Sequence, residues 1–485
     1  MNQKIDLLLI NPGNRLEQFA KLSDLATVAQ PLGLAMVAAY VRQHGYSVAI
    51  IDAEAEFWTP EQTIEAVEQF DPLLIGVSAY TTKMTAAGRL LTLIRERMPH
   101  VKTMLGGHHG SAIARRTLEE EAVDFVVQGE GFFPTVELLR RIKVGKRDLA
   151  VPGLAFYEGQ QFVDNGRAPL INDLDELPFA AWDLLPMEKY RAHHWQAWDY
   201  GMDQSGFAVL YTSLGCPFQC EYCSVNVVYG KHKTRYRSSE HVVRELELLV
   251  NQYGVKHVEI IDDTFTLLPK RVEAFCNEII KRGLGKKLNM WCFARTDRVT
   301  TQLMKKMKQA GINWVFMGFE SGDDFVLQGV NKYQTVDQIR RAVDDVHHAG
   351  IYIGGNYVFG LPNDTHETMQ QTLDLAKDLN TEYANFFLLM AYPGTKLQQT
   401  ARQKGYSLPE KWGQYGFFAP DALPMRNDQL SAEDILAFRD NAFNEYFNSE
   451  RYLSMIRERF GEPIIDFIRT KILTRKIERT RIARD

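Results

Sequence analysis

Cysteine is scarce in this chain, and apolar sequence of membrane-spanning length is missing. Only five cysteines occur in 485 residues, an odd number with three of them in one loop, which excludes a disulfide framework and points to a reducing compartment. The longest uninterrupted apolar stretch, around Leu32 to Val41, is too short to cross a bilayer. Met1 to Asp6 lacks the charged and then apolar layout of a secretory signal, so a cytoplasmic location is expected. Neither sign of charge is in excess: a formal net charge of -5 gives no electrostatic case for binding nucleic acid. No Gly-x-Gly-x-x-Gly follows the first apolar run, so the usual dinucleotide fingerprint is missing too.

What is present suffices for two or three domains, since 45% of the residues are hydrophobic and 11% aromatic. Short apolar runs at Ile5–Ile10, Val48–Ile51, Leu73–Ala79, Val101–Leu105 and Val123–Val127 alternate with stretches of helical period, which predicts a parallel sheet covered on both faces over residues 1–143. Its strand ends carry Ser78, Gly106-Gly107-His108 and Gly129-Glu130-Gly131, at the edge where such sheets bind ligands. Residues 144–206 read as a connector, with a hairpin around Glu158-Gly159 and then an acidic, proline-bearing run from Asp173 to Pro186. Its aromatic stretch, His193 to Tyr200, suits packing between domains or the wall of a substrate pocket. From 207 to 400 six strand candidates alternate with amphipathic segments, the pattern of a partial (β/α)6 barrel whose function lies at the carboxyl ends of its strands. Residues 401–485 read as mainly helical.

The densest chemistry is the loop Gly215-Cys216-Pro217-Phe218-Gln219-Cys220-Glu221-Tyr222-Cys223, directly after the apolar run Phe207 to Tyr211. Three thiols at offsets of four and three residues make Cys216, Cys220 and Cys223 candidate metal ligands. Four-iron clusters normally take four thiolates, so three leave one iron open. Zinc would want a fourth protein ligand, and Cys276 and Cys292 lie far along the chain, where they read as small buried hydrophobes.

This Cys-x3-Cys-x2-Cys loop resembles the signature of the radical S-adenosylmethionine (SAM) enzymes, and with the N-terminal sheet the chain resembles the B12-binding-domain members of that family. The resemblance implies a flavodoxin-like, Rossmann-like domain ahead of the barrel, a [4Fe-4S] cluster, SAM on the open iron and cobalamin. It places Tyr222 near adenine, Asp262 on the methionine amino group, Arg295 on its carboxylate and Glu320 on the ribose, and it lets the backbone at Gly355 and Gly360 approach adenine. Ser78, Gly106 and Gly107 match the strand ends that flank the cobalamin nucleotide tail, and His108, Gly129 and Glu130 join that set. The histidine motif that often supplies a lower cobalt ligand is replaced by Asp52-Ala53-Glu54-Ala55-Glu56-Phe57, with Glu54 in the histidine's place.

Ordinary readings stand beside these. Gly106-Gly107 fits a tight turn, His108 and His109 a solvated loop pair, Ser78 a helix cap, and Asp263 with Arg295 an ion pair at the barrel top. Trp412, Tyr415, Phe417 and Phe418 suit either a cover over a substrate or a satellite core. The last 17 residues hold seven basic side chains, Arg469, Lys471, Arg475, Lys476, Arg479, Arg481 and Arg484, which fit a solvated helix or, with the intervening isoleucines, peripheral attachment to an anionic membrane. The expected activity is cobalamin-dependent methylation of an unactivated carbon in a small molecule, with an electron donor such as flavodoxin or ferredoxin as partner. Oxidative cyclisation or rearrangement, radical chemistry without cobalamin, and a non-catalytic iron–sulfur protein are the rivals.

Overall fold

The computed structural model describes residues 3–15, 23, 25–146, 148–230, 232–475 and 477–480. The first five apolar runs form parallel strands β1 (Gln3–Asn11), β2 (Val48–Asp52), β3 (Phe70–Ser78), β4 (Lys102–Gly106) and β5 (Phe125–Val127), in the order β2-β1-β3-β4-β5. Leu7, Leu8, Ile75 and Leu105 are wholly buried, because helices cover both faces of the sheet. Strand order reverses beside β1 and β3, which opens a crevice at their carboxyl ends.

The hairpin, placed by the sequence within the connector, belongs to this sheet. Its strands β6 (Leu154–Glu158) and β7 (Gln161–Asp164) extend it antiparallel beyond β5, with Phe125 opposite Phe156 and Val127 opposite Leu154. β5 has only three residues, and its outer edge would otherwise present unpaired N–H and C=O groups.

Strands β8 (Phe207–Leu210), β11 (His257–Ile260), β12 (Asn289–Ala294), β13 (Ile312–Glu320), β14 (Tyr352–Phe359) and β15 (Tyr383–Leu388) form the second sheet, all parallel, in the order β15-β14-β13-β12-β11-β8. Between β8 and β11 the short strands β9 (Ser213–Leu214) and β10 (Arg235–Tyr236) pair antiparallel. The open edge of β8 is closed by Gln30, whose side chain donates to Phe207 O at 2.7 Å and accepts from Val209 N at 3.0 Å. A residue from the first region thus caps the edge of the barrel.

The aromatic connector packs against the barrel. Trp195 lies 5.2, 5.0 and 4.5 Å from the rings of Trp291, Trp314 and Phe316, and Trp291 and Trp314 sit near the starts of β12 and β13. It therefore plugs the amino ends of the strands, opposite the loaded ends. C-terminal helices Ala432–Phe447 and Glu450–Phe460 cover the outer strands; Ser431 caps the first with a reciprocal capping box, and Phe460 stacks on Trp314. Ile468 and Ile472, part of the apolar side of the basic run, are buried against this body. Lys476, Arg481 and Arg484 lie outside the described residues. Among the described residues no helix is long and apolar enough to cross a membrane.

Candidate active site between the two sheets

The cysteine loop is fastened at its base by the β9–β10 pair. Gly215 turns the chain at φ 88°, where a Cβ would collide with the carbonyl oxygen of Lys233. Inside the loop Cys223 N donates to Cys220 O at 3.1 Å, and Glu221 N reaches across to Val330 O at 3.3 Å. The three thiols are free and half-buried; Cys216 Sγ lies 4.0 Å from Thr264 Oγ1, and Cys220 Sγ lies 3.9 Å from Asn331 O. Burial raises the Cys216 thiol and pushes Cys223 up to about 12, so these sulfurs need a bound cation to be held as thiolates. Among the described residues no three His, Cys, Asp or Glu side chains are gathered to hold a single metal ion. Three thiol donors spread along one loop fit an iron–sulfur cluster better than zinc.

The barrel's strand ends redistribute the roles expected of them. Asp262 is fully buried and accepts four hydrogen bonds, from the N–H groups of Thr212 and Ser213 at 2.6 and 3.0 Å and from their hydroxyls at 2.5 and 2.6 Å. With Arg271 at 3.7 Å, both its oxygens are committed to tying the end of β8 to that of β11. Asp263, the next residue, keeps an accessible side but is enclosed by surrounding protein. Removal from bulk water and the neighbouring Asp262 charge raise its carboxyl to about 7, while a backbone hydrogen bond from Gly215 pulls the other way. Its charge acts on Cys216, Cys223, Tyr80 and Tyr229.

Arg295 does not pair with Asp263. Its Nε donates to Asp297 at 2.9 Å, one terminal nitrogen donates to Lys332 O at 3.2 Å, and the guanidinium lies 3.7 Å from the Phe218 ring of the cysteine loop. Glu320, at φ 64°, receives Lys332 Nζ at 2.7 Å in a buried pair and stands against the Tyr222 hydroxyl. Burial first, and then the Glu320 charge, hold that hydroxyl well above the ordinary tyrosine range. Gly318 leaves room for the pair, since a Cβ there would meet Lys332 Nζ at 2.7 Å. A Cβ on Gly355 would press on Tyr357 at 2.9 Å, and Gly360 at φ 86° would press on Ile435 at 2.6 Å, so both glycines also serve packing.

At the ends of the first sheet the chain clears space. A cavity of about 190 Å³ is bordered by Ser78, Gly106, Gly107, Gly129 and Glu130, together with Gly76 and Tyr229. A Cβ on Gly76 would meet the side-chain ends of Leu9 and Met104 at 2.7 Å, and Gly107 at φ 95° would meet Ala79 O at 2.9 Å, so Gly107 admits nothing larger than glycine without strain. Ser78 caps no helix; the next helical turn, Thr81–Lys83, starts after Tyr80 with no side-chain cap. Glu130 borders the cavity, but its carboxylate is taken by a buried two-pronged bond from Arg235, at 2.6 and 3.1 Å, and by Ile171 N at 3.0 Å.

His108 and His109 are no solvated loop pair: they open helix His108–Glu120. His109 is wholly buried against Trp412, and burial lowers it to about 3. His108 stacks on Tyr80 at 5.0 Å, and the two face a second cavity, of about 360 Å³, shared with Ser224, Phe387, Tyr392, Phe417 and Phe418. Glu54, in the place of the missing histidine, accepts from Asn14 N at 3.0 Å and pairs with Lys83 at 3.5 Å, which ties it to the fold. The sequence reading missed Asp263 as a facing carboxylate, and with it Lys332, Tyr80 and Tyr229. Only Tyr80 carried a signal, two residues beyond a strand end already singled out.

Comparison with known proteins agrees with this arrangement. The B12 binding domain family matches residues 22–139, and the Radical SAM superfamily matches residues 210–376. An uncharacterized methyltransferase of Pyrococcus horikoshii is 32% identical over 424 residues, covering 87% of this chain and 89% of that protein. The anaerobic magnesium-protoporphyrin IX monomethyl ester cyclase of Cereibacter sphaeroides is 28% identical over 409 residues, covering 83% of this chain and 65% of the relative. The fold is shared with the radical SAM methyltransferase TsrM of Kitasatospora setae, solved with cobalamin and a [4Fe-4S] cluster, at a TM-score of 0.68, with 19% identity, 92% of this chain and 89% of that one. Likeness along nearly the whole length of one relative, with both domains in a single chain, makes this protein a member of the B12-binding radical SAM enzymes, whose cofactors are a [4Fe-4S] cluster, SAM and cobalamin.

Proposed function

We propose that the protein is a cobalamin-dependent methyltransferase acting on an unactivated carbon of a small molecule. The observation that carries this reading is geometric: the glycine-cleared crevice of the first sheet is closed by Leu214 and Tyr229, on either side of the cysteine loop, and Ser224, next to Cys223, lines the neighbouring cavity with Tyr80 and His108. Residues 1–143 with the hairpin 154–164 form the corrinoid side, the rest of 144–206 connects, 207–400 form the cluster side, and 401–485 cover it. When bound, the cluster would supply the electron that splits one SAM molecule into methionine and the hydrogen-abstracting radical, a second SAM would supply the methyl group, and the corrinoid would carry that methyl to carbon.

The chain's own residues bind and orient. Cys216, Cys220 and Cys223 ligate the cluster. Asp263, in place of the buried Asp262, accepts from the methionine ammonium, and the edge of Arg295 turned from Asp297 takes its carboxylate. Glu320, fixed by Lys332, accepts from the ribose beside Tyr222, with the backbone at Gly355 and Gly360 running past adenine. Ser78, Gly106, Gly107 and Gly129 border the nucleotide tail of cobalamin, and His108 faces the corrinoid side of the interior. Holding three reactants in line without water is most of the catalytic task. The relatives from Pyrococcus horikoshii and from Streptomyces wedmorensis, a cytidylyl-2-hydroxyethylphosphonate methyltransferase, support methyl transfer. A small redox protein such as flavodoxin or ferredoxin supplies the electron.

The test is anaerobic reconstitution with iron, sulfide and hydroxocobalamin, then reduction in the presence of SAM labelled on its methyl group and an extract of the source cells. Release of 5'-deoxyadenosine with label in a product is expected. An unlabelled, more oxidised product would mean cyclisation, and no 5'-deoxyadenosine would remove the radical enzyme.

A further inference from the structure

The 360 Å³ cavity has walls from four parts of the chain and no charge on any of them. Tyr80 and His108 come from the first domain, Ser224 and Val227 from just after the cysteine loop, Phe387 and Tyr392 from the end of β15 and just beyond, and Phe417 and Phe418 from the C-terminal segment; no Asp, Glu, Lys or Arg lines it. Burial keeps His108 neutral down to about pH 4. Tyr392 spends its hydroxyl on Tyr415 O at 3.3 Å.

The cations nearby stand behind the rings. Arg439 lies 5.0 Å from the Phe418 ring while its Nε donates to Phe386 O at 2.8 Å. Arg479 donates to Phe417 O and Ala419 O, both at 2.9 Å, and pairs with Asp440. These bonds hold the backbone of 417–419 from its outer side and leave the two phenylalanines bordering the cavity. Trp412 and Tyr415, on the same segment, are buried in the core of the first domain, so the segment is core at one end and cavity wall at the other.

Resting on the proposed methyltransferase reading, we propose that this cavity receives the part of the substrate to be methylated, and that the substrate there is a neutral, ring-bearing, largely apolar small molecule gripped by Phe417 and Phe418. A charged group entering would leave water and meet no charged side chain on the walls, whereas a flat ring meets six aromatic side chains that can stack edge or face against it. The volume lies at the lower end for small-molecule sites, enough for a ring system though not for a whole corrinoid.

The holoenzyme, carrying cluster and corrinoid, is titrated with Nile red, a neutral planar dye. One blue-shifted site is expected, displaced by 2-naphthol at least 10-fold better than by 2-naphthyl phosphate. Phe417→Ala with Phe418→Ala should weaken the dye at least 10-fold while iron and corrinoid contents stay unchanged. Equal displacement by the phosphate, or unchanged dye binding in the double variant, would overturn the proposal. So would dye that binds corrinoid-free protein and is excluded once hydroxocobalamin is loaded, because the cavity would then belong to the corrinoid. Failure of the methyltransferase reading shows separately, as missing 5'-deoxyadenosine or missing label in product, and leaves the choice between naphthol and its phosphate measurable.

Discussion

Along the carboxyl ends of the first sheet the chain removes side chains, with Gly76, Gly106, Gly107 and Gly129 around a crevice, whereas along those of the second it places charge, with Asp263, Arg295, Glu320 and Lys332. Both lie where parallel sheets bind ligands. The difference teaches how each kind of ligand is held. On the proposed assignment, a bulky nucleotide tail is accepted by shape, through backbone that comes close because no Cβ intervenes, and a small zwitterionic sulfonium by opposite charges at fixed positions. Glu130 and Arg235 join the halves, a buried pair with one partner on each side.

Removing a cluster ligand cuts deepest. Cys220→Ala should lose the brown iron–sulfur absorbance and lower 5'-deoxyadenosine formation by about 10³-fold or more, since the chemistry has no other source of the radical; unchanged iron content would reassign the ligand. Gly106→Val probes the cleared side. A Cβ there first meets Val127 at 3.9 Å, so the fold tolerates it while the crevice fills, and equilibrium dialysis should show hydroxocobalamin retention falling about 100-fold with little change in melting temperature. Equal retention would deny that the crevice works by shape.

Arg235→Met strikes the joint. It leaves the buried Glu130 carboxylate without its partner and should cost about 3–5 kcal/mol in denaturant unfolding. A loss below about 1 kcal/mol would mean that the two halves do not depend on this pair. The smallest effect separates the sides by pH. Asp364, buried below the Gly360 turn, accepts from Gly360 N and Leu361 N, and burial raises its carboxyl to about 6 from 3.8. Between those values the folded state holds a proton that the unfolded state has lost, so stability falls as pH rises through this window. Asp364→Asn should therefore gain on the wild type by up to about 3 kcal/mol between pH 4 and 6 and no further above 6, whereas Gly106→Val should show no such pH-dependent gain.

Much of this was legible in the sequence. Apolar runs bounded by turn residues located the eleven parallel strands within a few positions, because burial on both faces leaves a continuous signal. The thiol spacing and the strand-end glycines needed no tertiary information. Side-chain direction was not legible. Asp262 and Asp263 are adjacent carboxylates at one strand end, successive residues there point to opposite sides, and nothing local says which side faces the ligand. Partners distant in sequence were equally hidden: Glu130 gave no sign of Arg235, and the hairpin after 153 gave no sign that β5 was short of a neighbour. The aromatic C-terminal segment divided between its two readings, Trp412 and Tyr415 as core and Phe417 and Phe418 as wall.

Trp412 has a bearing on synthesis. Its indole N–H donates to Glu121 at 3.1 Å across a separation of 291 residues, and it packs on His109. The helix it covers leaves the ribosome long before it does, so that side of the first domain must fold while uncovered. That side of the first domain is therefore closed only once the chain beyond residue 412 has been made, and chains stalled near residue 400 should show faster amide exchange in helix His108–Glu120 than completed ones.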